Sequence, residues 1–226
     1  MENEKVGLIA AAGMAERLST IGNNTIKEMI EYKDNPIICN CIDSLVKAQV
    51  ASIIIVVRLG KEILVEFIKN RYPNIKIKFV YQSGEIGNLI DAIKVAYNEI
   101  KNKEVFFRLG DTYISPNPFI KTDNNRDKSV TLYCFHYNFN PQNNAHSNYG
   151  TIDIKNNIVI DKPHKYISNI CWGAISWKEE FTEQIVSETD FTDVINKSNF
   201  NYFENISKFI DIGNELVKKY LSRNST

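Results

Sequence analysis

Several absences narrow the possibilities before any motif is read. The chain has no excess of charge, since 27 lysines and arginines balance 27 aspartates and glutamates. A nucleic-acid-binding face usually makes a domain strongly basic, so no nucleic-acid partner is expected and any bound anion should be small. No apolar run approaches the roughly 18 residues that span a bilayer. The leading segment MENEKVGLIAAAG is mixed in charge and its apolar run is short, unlike a signal peptide. A cytoplasmic protein without a membrane partner is expected. Cysteine is scarce: Cys39, Cys41, Cys134 and Cys171 form no C-x2-C pair and no cysteine–histidine cluster. They read as small core residues in a reducing compartment rather than as a zinc site. Repeats and low-complexity linkers are missing too.

What remains is 226 residues with 43% hydrophobic content, enough for one core, and residues 1–226 read as one domain. The first half alternates. KVGLIAA (5–11) reads as a strand, and PIICNCIDSLVKAQ (36–49) as a helix with proline in its first turn. SIIIVV (52–57) is a buried strand and KEILVEFIKN (61–70) an amphipathic helix. IKIKFVY (75–81) predicts a strand, IGNLIDAIKVAYNEI (86–100) a helix and EVFFRL (104–109) a strand. This order predicts a mainly parallel sheet covered by helices on both faces. In the second half, SVTLYCFHY (129–137), YGTIDI, NNIVIDKP (156–163) and ICWGAISW (170–177) are strand-like, and FTEQIVSE starts a helix. FIDIGNELVKKYL reads as strand, glycine turn and helix. The polar loop 138–148 suits a lid or an idle surface excursion.

Ligands of such sheets bind beyond the carboxyl ends of the parallel strands. Four features fall there: Gly13 to Arg17, Gln82 to Gly87, Gly110-Asp111, and Asp211 to Gly213. The first is no Walker loop, because GK[ST] is missing, and no dinucleotide fingerprint, because its second and third glycines are missing. Small residues there either pack or let the backbone approach an anion. Lys27 is either solvated or, with Arg17, placed to hold phosphates. Asp111 is either a turn residue or a ligand for Mg²⁺, which takes oxygen donors.

Six short stretches occur in one order: IAAAGMAERL, IKEMI, YQSGEIGNLIDA, LGDT, DKP and FIDIGN. Together they resemble the motif set of the NDP-sugar pyrophosphorylases, the sugar-phosphate nucleotidyltransferases, over nearly the whole chain. IKEMI and VVRLGKEI look closer to a subset often described as dTDP-glucose-pyrophosphorylase-like. The resemblance implies a Rossmann-like α/β/α sandwich with a mixed, mostly parallel sheet. It also implies roles. Backbone around Ala12 and Gly13 would cradle the nucleotide phosphates, Arg17 would contact the departing pyrophosphate, and Lys27 would bridge the reacting phosphates. Gln82 and Gly87 would meet the base. Asp111 and Asp211 would hold Mg²⁺, and Lys162 would grip the acceptor phosphate.

Departures from the family pattern are Ala15 and Glu16 in the loop, Ile26 for proline, Thr112 for asparagine and Asn214 for threonine. All five charged groups remain, which favours an active enzyme. The implied reaction is NTP plus a phosphorylated small-molecule acceptor giving an NDP-linked product and pyrophosphate. The attacking phosphate is already an anion and needs no general base, in keeping with three histidines (His136, His146, His164) that match no motif position. A glutamine amide between Gln82 and the pyrimidine edge points to dTTP or UTP ahead of CTP; the bland alternative is a polar cap on the strand. Two other readings stay open. One is a cytidylyltransferase for a non-sugar acceptor such as phosphocholine, whose cage Tyr166, Trp172 and Trp177 would supply if they are not core residues. The other is a non-catalytic nucleotide-sugar-binding protein. The chain is short for the group, so a bare catalytic domain, monomer or dimer, is expected.

Overall fold

The computed structural model describes residues 3–14, 26–84, 88–120, 128–138 and 149–214. In chain order, β1 (Lys5–Ala10) is followed by a 3-10 turn at Lys27–Met29 and a small hairpin of β2 (Glu31–Tyr32) and β3 (Asn35–Pro36). Then come α1 (Ile37–Lys47), β4 (Ser52–Arg58), α2 (Glu62–Arg71), β5 (Ile77–Gln82), α3 (Leu89–Val95) and α4 (Tyr97–Ile100). β6 (Glu104–Leu109), β7 (Thr112–Ser115), β8 (Val130–His136), β9 (Thr151–Asp153), β10 (Ile158–Ile160) and β11 (Ile170–Trp177) follow. The chain continues through α5 (Glu179–Ser187), α6 (Phe191–Lys197), β12 (Phe200–Ile206) and β13 (Lys208–Asp211).

The apolar runs at 5–10, 52–58 and 104–109 become the centre of one mixed sheet. Its order is β10-β9-β11-β6-β1-β4-β5, with β8 beside β11 and β12 beside β8. β6, β1, β4 and β5 run parallel, as strands buried on both faces do. β11 turns antiparallel to both β6 and β8. β7 and β13 form a separate antiparallel ribbon.

Alternation along β1 divides the core between two faces. Val6 and Leu8 pack with Ile90 and Ile93 of α3, Phe181 of α5 and Phe191 and Val194 of α6. Ile9 packs with Ile38, Ile42 and Leu45 of α1 and Leu64 and Ile68 of α2. A Cβ at Gly7 would lie 2.7 Å from Leu45 Cδ1, so the missing side chain lets α1 settle on the strand. The result is the Rossmann-like three-layer α/β/α sandwich. All four cysteines are buried in it. No helix among the described residues is long and apolar enough to cross a membrane.

Three details differ from the sequence reading. The helix over 86–100 is two pieces, α3 and α4, meeting at Ala96, and residues 85–87 lie outside the described set. Pro36 precedes α1 and pairs with Glu31 instead of entering the first turn. Residues 189–206, to which the sequence reading gives no element, hold α6 and β12; a register shift between Phe203 and Ile206 breaks the period-2 pattern that would have marked the strand. The loop 138–148 and the helix after Gly213 fall outside the described residues from 139 and 215 onward.

Candidate active site

Two adjoining cavities open at the carboxyl ends of the parallel strands, where such sheets bind ligands. The smaller, about 150 Å³, is walled by Ala12, Gly13, Glu28, Gln82 and Asp111. The larger, about 340 Å³, is walled by Tyr149, Lys162, Trp172, Asp111 and Asp211. Asn88, Leu89, Leu109 and Asp111 line both.

The loop after β1 forms one side of the smaller cavity. It leaves the sheet with Ala11 N–H still donating to Val56 O at 2.8 Å. Its carbonyls are then taken by cations from the end of β4. Lys61 Nζ donates to Ala11 O at 2.6 Å and to Gly13 O at 3.0 Å. Arg58 Nε donates to Ala12 O at 3.1 Å, and its Nη1 donates to Gly84 O beyond β5. Gly110 keeps this floor thin, because a Cβ there would come within 3.0 Å of Ala10 O.

Lys27 lies in the short 3-10 turn and brings its Nζ to 3.4 Å from Asp111 Oδ2. That ammonium is also 4.0 Å from where a Cβ on Gly13 or on Gly213 would stand. It therefore lies between the loop and both aspartate-bearing segments. Next to it, Glu28 is 3% exposed and pairs with Lys61 at 2.7 Å. Burial raises the Glu28 pKa, Lys61 opposes that shift, and the nearby Asp111 charge adds to it. Glu28 Oε2 is buried without a hydrogen-bond partner among the described residues.

Asp111 sits in the turn between β6 and β7. Thr112 Oγ1 closes that turn on Leu109 O at 2.8 Å, a role its replacement of asparagine permits. Behind it, the wholly buried Arg108 donates to Ser44 Oγ at 2.8 Å, Asn40 Oδ1 at 3.0 Å and Thr112 O at 3.4 Å. Burial draws the Arg108 pKa down. Asp211 ends β13 opposite Thr112, and Ile212 N–H donates to Asp111 O at 3.1 Å. The 100 residues between the two aspartates are thus closed by one antiparallel ribbon. Asn214 donates to the Asp211 carboxylate twice, from its backbone at 3.0 Å and from its amide at 2.9 Å. That amide also lies 3.2 Å from Tyr149 Oη. Asp111 and Asp211 line one cavity and offer oxygen donors only, and no group of three or more His, Cys, Asp or Glu among the described residues is placed to hold a metal ion. Such a pair of carboxylates fits Mg²⁺, which is commonly bound through one or two carboxylates plus substrate phosphates.

Lys162 lines the outer part of the larger cavity with a left-handed backbone, φ 41°. A Cβ at Gly150 would overlap the Trp172 indole nitrogen, so glycine lets that ring stand against the cavity. Trp177 does not join it. It is buried in the core and donates to Thr182 Oγ1 at 2.9 Å. The three-aromatic cage considered from sequence is therefore not assembled: of Tyr166, Trp172 and Trp177, Trp172 lines the cavity.

Of the residues singled out from sequence, Ala12, Gly13, Gln82 and Asp111 line the smaller cavity, and Asp111, Lys162 and Asp211 the larger. Lys27 lines neither, but its Nζ is 3.4 Å from Asp111, which lines both. Arg17 and Gly87 lie outside the described residues, as do Ala15 and Glu16. Glu28, Arg58 and Lys61 were not assigned roles, although IKEMI and VVRLGK contain them.

Among curated proteins, the chain is 27% identical over 110 residues to the UTP–glucose-1-phosphate uridylyltransferase AglF of Haloferax volcanii. That match covers 49% of this chain and 44% of the relative, so the chain spans under half the length of the protein it matches. Among solved structures, a Bacillus anthracis protein provisionally named glucose-1-phosphate thymidylyltransferase superposes with TM-score 0.81 at 17% identity, over 96% of this chain and 93% of the other. A UDP-glucose pyrophosphorylase solved with UDP-glucose gives 0.77 at 19%, over 99% and 100%. HddC from Yersinia pseudotuberculosis, solved with GMP-PN, gives 0.71 at 20%, over 96% and 98%. At these identities the structural likeness speaks for the fold. The model of the nucleotidyl transferase family matches residues 6–215, and the chain belongs to that family.

Proposed function

We propose that this chain transfers a nucleotidyl group from a pyrimidine NTP to a sugar 1-phosphate and releases pyrophosphate. The observation that carries the reading is the pair of adjoining cavities that share Asp111, with the Lys27 ammonium 3.4 Å from that carboxylate. The nucleotide takes the smaller cavity and the acceptor the larger. The acceptor phosphate oxygen attacks the α-phosphorus in line. A bond from that oxygen to phosphorus forms, the bond from the α-phosphorus to the bridging oxygen breaks, and the electron pair leaves with pyrophosphate. No proton is moved.

The backbone of Ala12 and Gly13 receives the phosphates, and Lys27 neutralises charge on the groups that react. Arg17 contacts the departing pyrophosphate. Lys162 holds the acceptor phosphate, which an anionic ligand in a cavity bearing several aspartates requires. Asp111 and Asp211 would hold Mg²⁺, which when bound neutralises phosphate charge and draws the two substrates together. Catalysis is positioning plus electrostatics, without a protein nucleophile.

Gln82 sets the base preference. It is buried at the end of β5 and lines the smaller cavity, where its amide supplies one acceptor and two donors to a pyrimidine edge, with Gly87 letting the backbone approach the base. A second reading has one observation in its favour: Trp172, Tyr149, Asp161 and Asp190 share the larger cavity and would suit a cationic acceptor such as phosphocholine.

The test is a matrix of the four common NTPs and dTTP against sugar 1-phosphates, phosphocholine and aminoethylphosphonate, read as pyrophosphate release. Release with a pyrimidine NTP and a sugar 1-phosphate supports the reading. Turnover with phosphocholine alone moves the acceptor to the second reading, a preference for GTP or ATP removes the pyrimidine assignment, and release with no pair leaves a nucleotide-sugar-binding protein.

A further inference from the structure

Lys61 begins α2, 48 residues beyond Gly13, yet it is built into the loop after β1. An ammonium group has three N–H donors. All three have acceptors here: Ala11 O at 2.6 Å, Gly13 O at 3.0 Å and Glu28 Oε1 at 2.7 Å. The side chain is 11% exposed. It has no donor left for a substrate. Arg58 takes the carbonyl between, that of Ala12. Three successive carbonyls thus face cations of the segment joining β4 to α2. In a trans peptide the N–H lies opposite the C=O. The N–H groups of Ala12, Gly13 and Met14 therefore point away from Lys61 and Arg58. With their carbonyls held, those N–H groups remain for an anion.

We propose that Lys61 is a positioning residue that holds the loop after β1 in the arrangement receiving the nucleotide's phosphates, with Glu28 as its counter-charge. The inference rests on the nucleotidyl-transfer reading above. Ala11 and Ala12 pack into the core, while Gly13 and Met14 beyond them are exposed, so an internal cation fixes the backbone there before the nucleotide arrives. Ordering already present in the free protein is not charged to binding. Glu28 makes the buried ammonium tolerable, since an isolated buried charge is far costlier than a paired one.

Three variants test this. Lys61→Met keeps most of the side-chain length and removes the charge, but it strands Glu28 as a buried carboxylate and destabilises the fold. Lys61→Met/Glu28→Gln removes the stranded charge and should regain most of the wild-type Tm. The account predicts that kcat/KM for the Mg²⁺ complex of UTP or dTTP nevertheless stays down on the order of 100-fold, the scale of an ångström misplacement. KM for the acceptor should stay near wild type, and Lys61→Arg should recover part of the nucleotide affinity. If the double variant regains nucleotide kinetics together with its Tm, Lys61 is a stability residue and the proposal falls. Calorimetric titration of the wild type with the same nucleotides is the control. Binding there means that a negative variant result strikes this inference alone. A wild type that binds none of them overturns the nucleotidyl-transfer reading and this inference with it.

Discussion

Lys61, beside the smaller cavity proposed for the nucleotide, is 11% exposed and holds three acceptors within 3.0 Å; Lys162, at the larger cavity proposed for the acceptor, is 64% exposed and meets Asp161 at 3.6 Å. The same contrast runs through their neighbours. Glu28, Gln82 and Ala12 are buried, whereas Asp161, Lys162 and Asp190 stand at the surface. The nucleotide half is assembled by long-range contacts that exist without substrate. The larger cavity, proposed for the acceptor, has a buried and half-buried floor of Ile90, Phe191, Tyr149 and Trp172, with the exposed charges of Asp161, Lys162 and Asp190 at its rim. On the proposed reading, exposed rim charges are where acceptor choice can change without disturbing the core.

The sharpest break in that comparison is at the shared wall. Asp111→Asn and Asp211→Asn should each lower turnover by on the order of 100- to 1000-fold, the range seen when one preorganised electrostatic group is removed. Circular dichroism should show the fold intact. Equal turnover in either variant would separate that aspartate from the chemistry. Lys27→Ala comes next. It should weaken NTP binding by about 2–5 kcal/mol, as truncation of a partly buried charge does, while acceptor affinity changes little. Calorimetry with each substrate alone measures that split.

Gln82→Ala should cost roughly 1–2 kcal/mol of affinity for the preferred pyrimidine nucleotide and less for a purine nucleotide, which a competition assay reads directly. An equal loss for all bases would return Gln82 to a strand cap. The smallest effect is expected at Lys162. Its exposed setting predicts a loss of about 1 kcal/mol or less in acceptor binding for Lys162→Ala, with stability unchanged. A much larger rise in acceptor KM would mean that the acceptor half closes around its ligand and is not as open as its side chains are in the free protein.

The sequence made the central sheet and most of the site legible for a physical reason. Strand ends of parallel sheets carry short local motifs, and LGDT and YQSG sit at the ends of β6 and β5, while DKP follows the antiparallel β10. Contacts between distant motifs were not legible. Glu28 and Lys61 are 33 residues apart and meet through the packing of the turn after the loop on the start of α2, a pairing no local pattern encodes. Trp172 and Trp177 share β11, and the register shift between Trp172 and Ala174 breaks the alternation that would have said which faces the cavity. α6 is seven residues long and β12 mixes Asn and Glu with its aromatics, so neither has a clear period.

The claim most in need of a direct test is that the two cavities work as one site, with the acceptor attacking the nucleotide itself. Isotope exchange tests it. Wild-type protein is incubated with NTP and labelled pyrophosphate, with and without the NDP-sugar product. The account predicts label in the NTP only when NDP-sugar is present, because the reverse reaction needs pyrophosphate to displace the sugar phosphate. Exchange between NTP and pyrophosphate without any acceptor or NDP-sugar would require a covalent nucleotidyl–protein intermediate, and would contradict direct transfer between the two cavities.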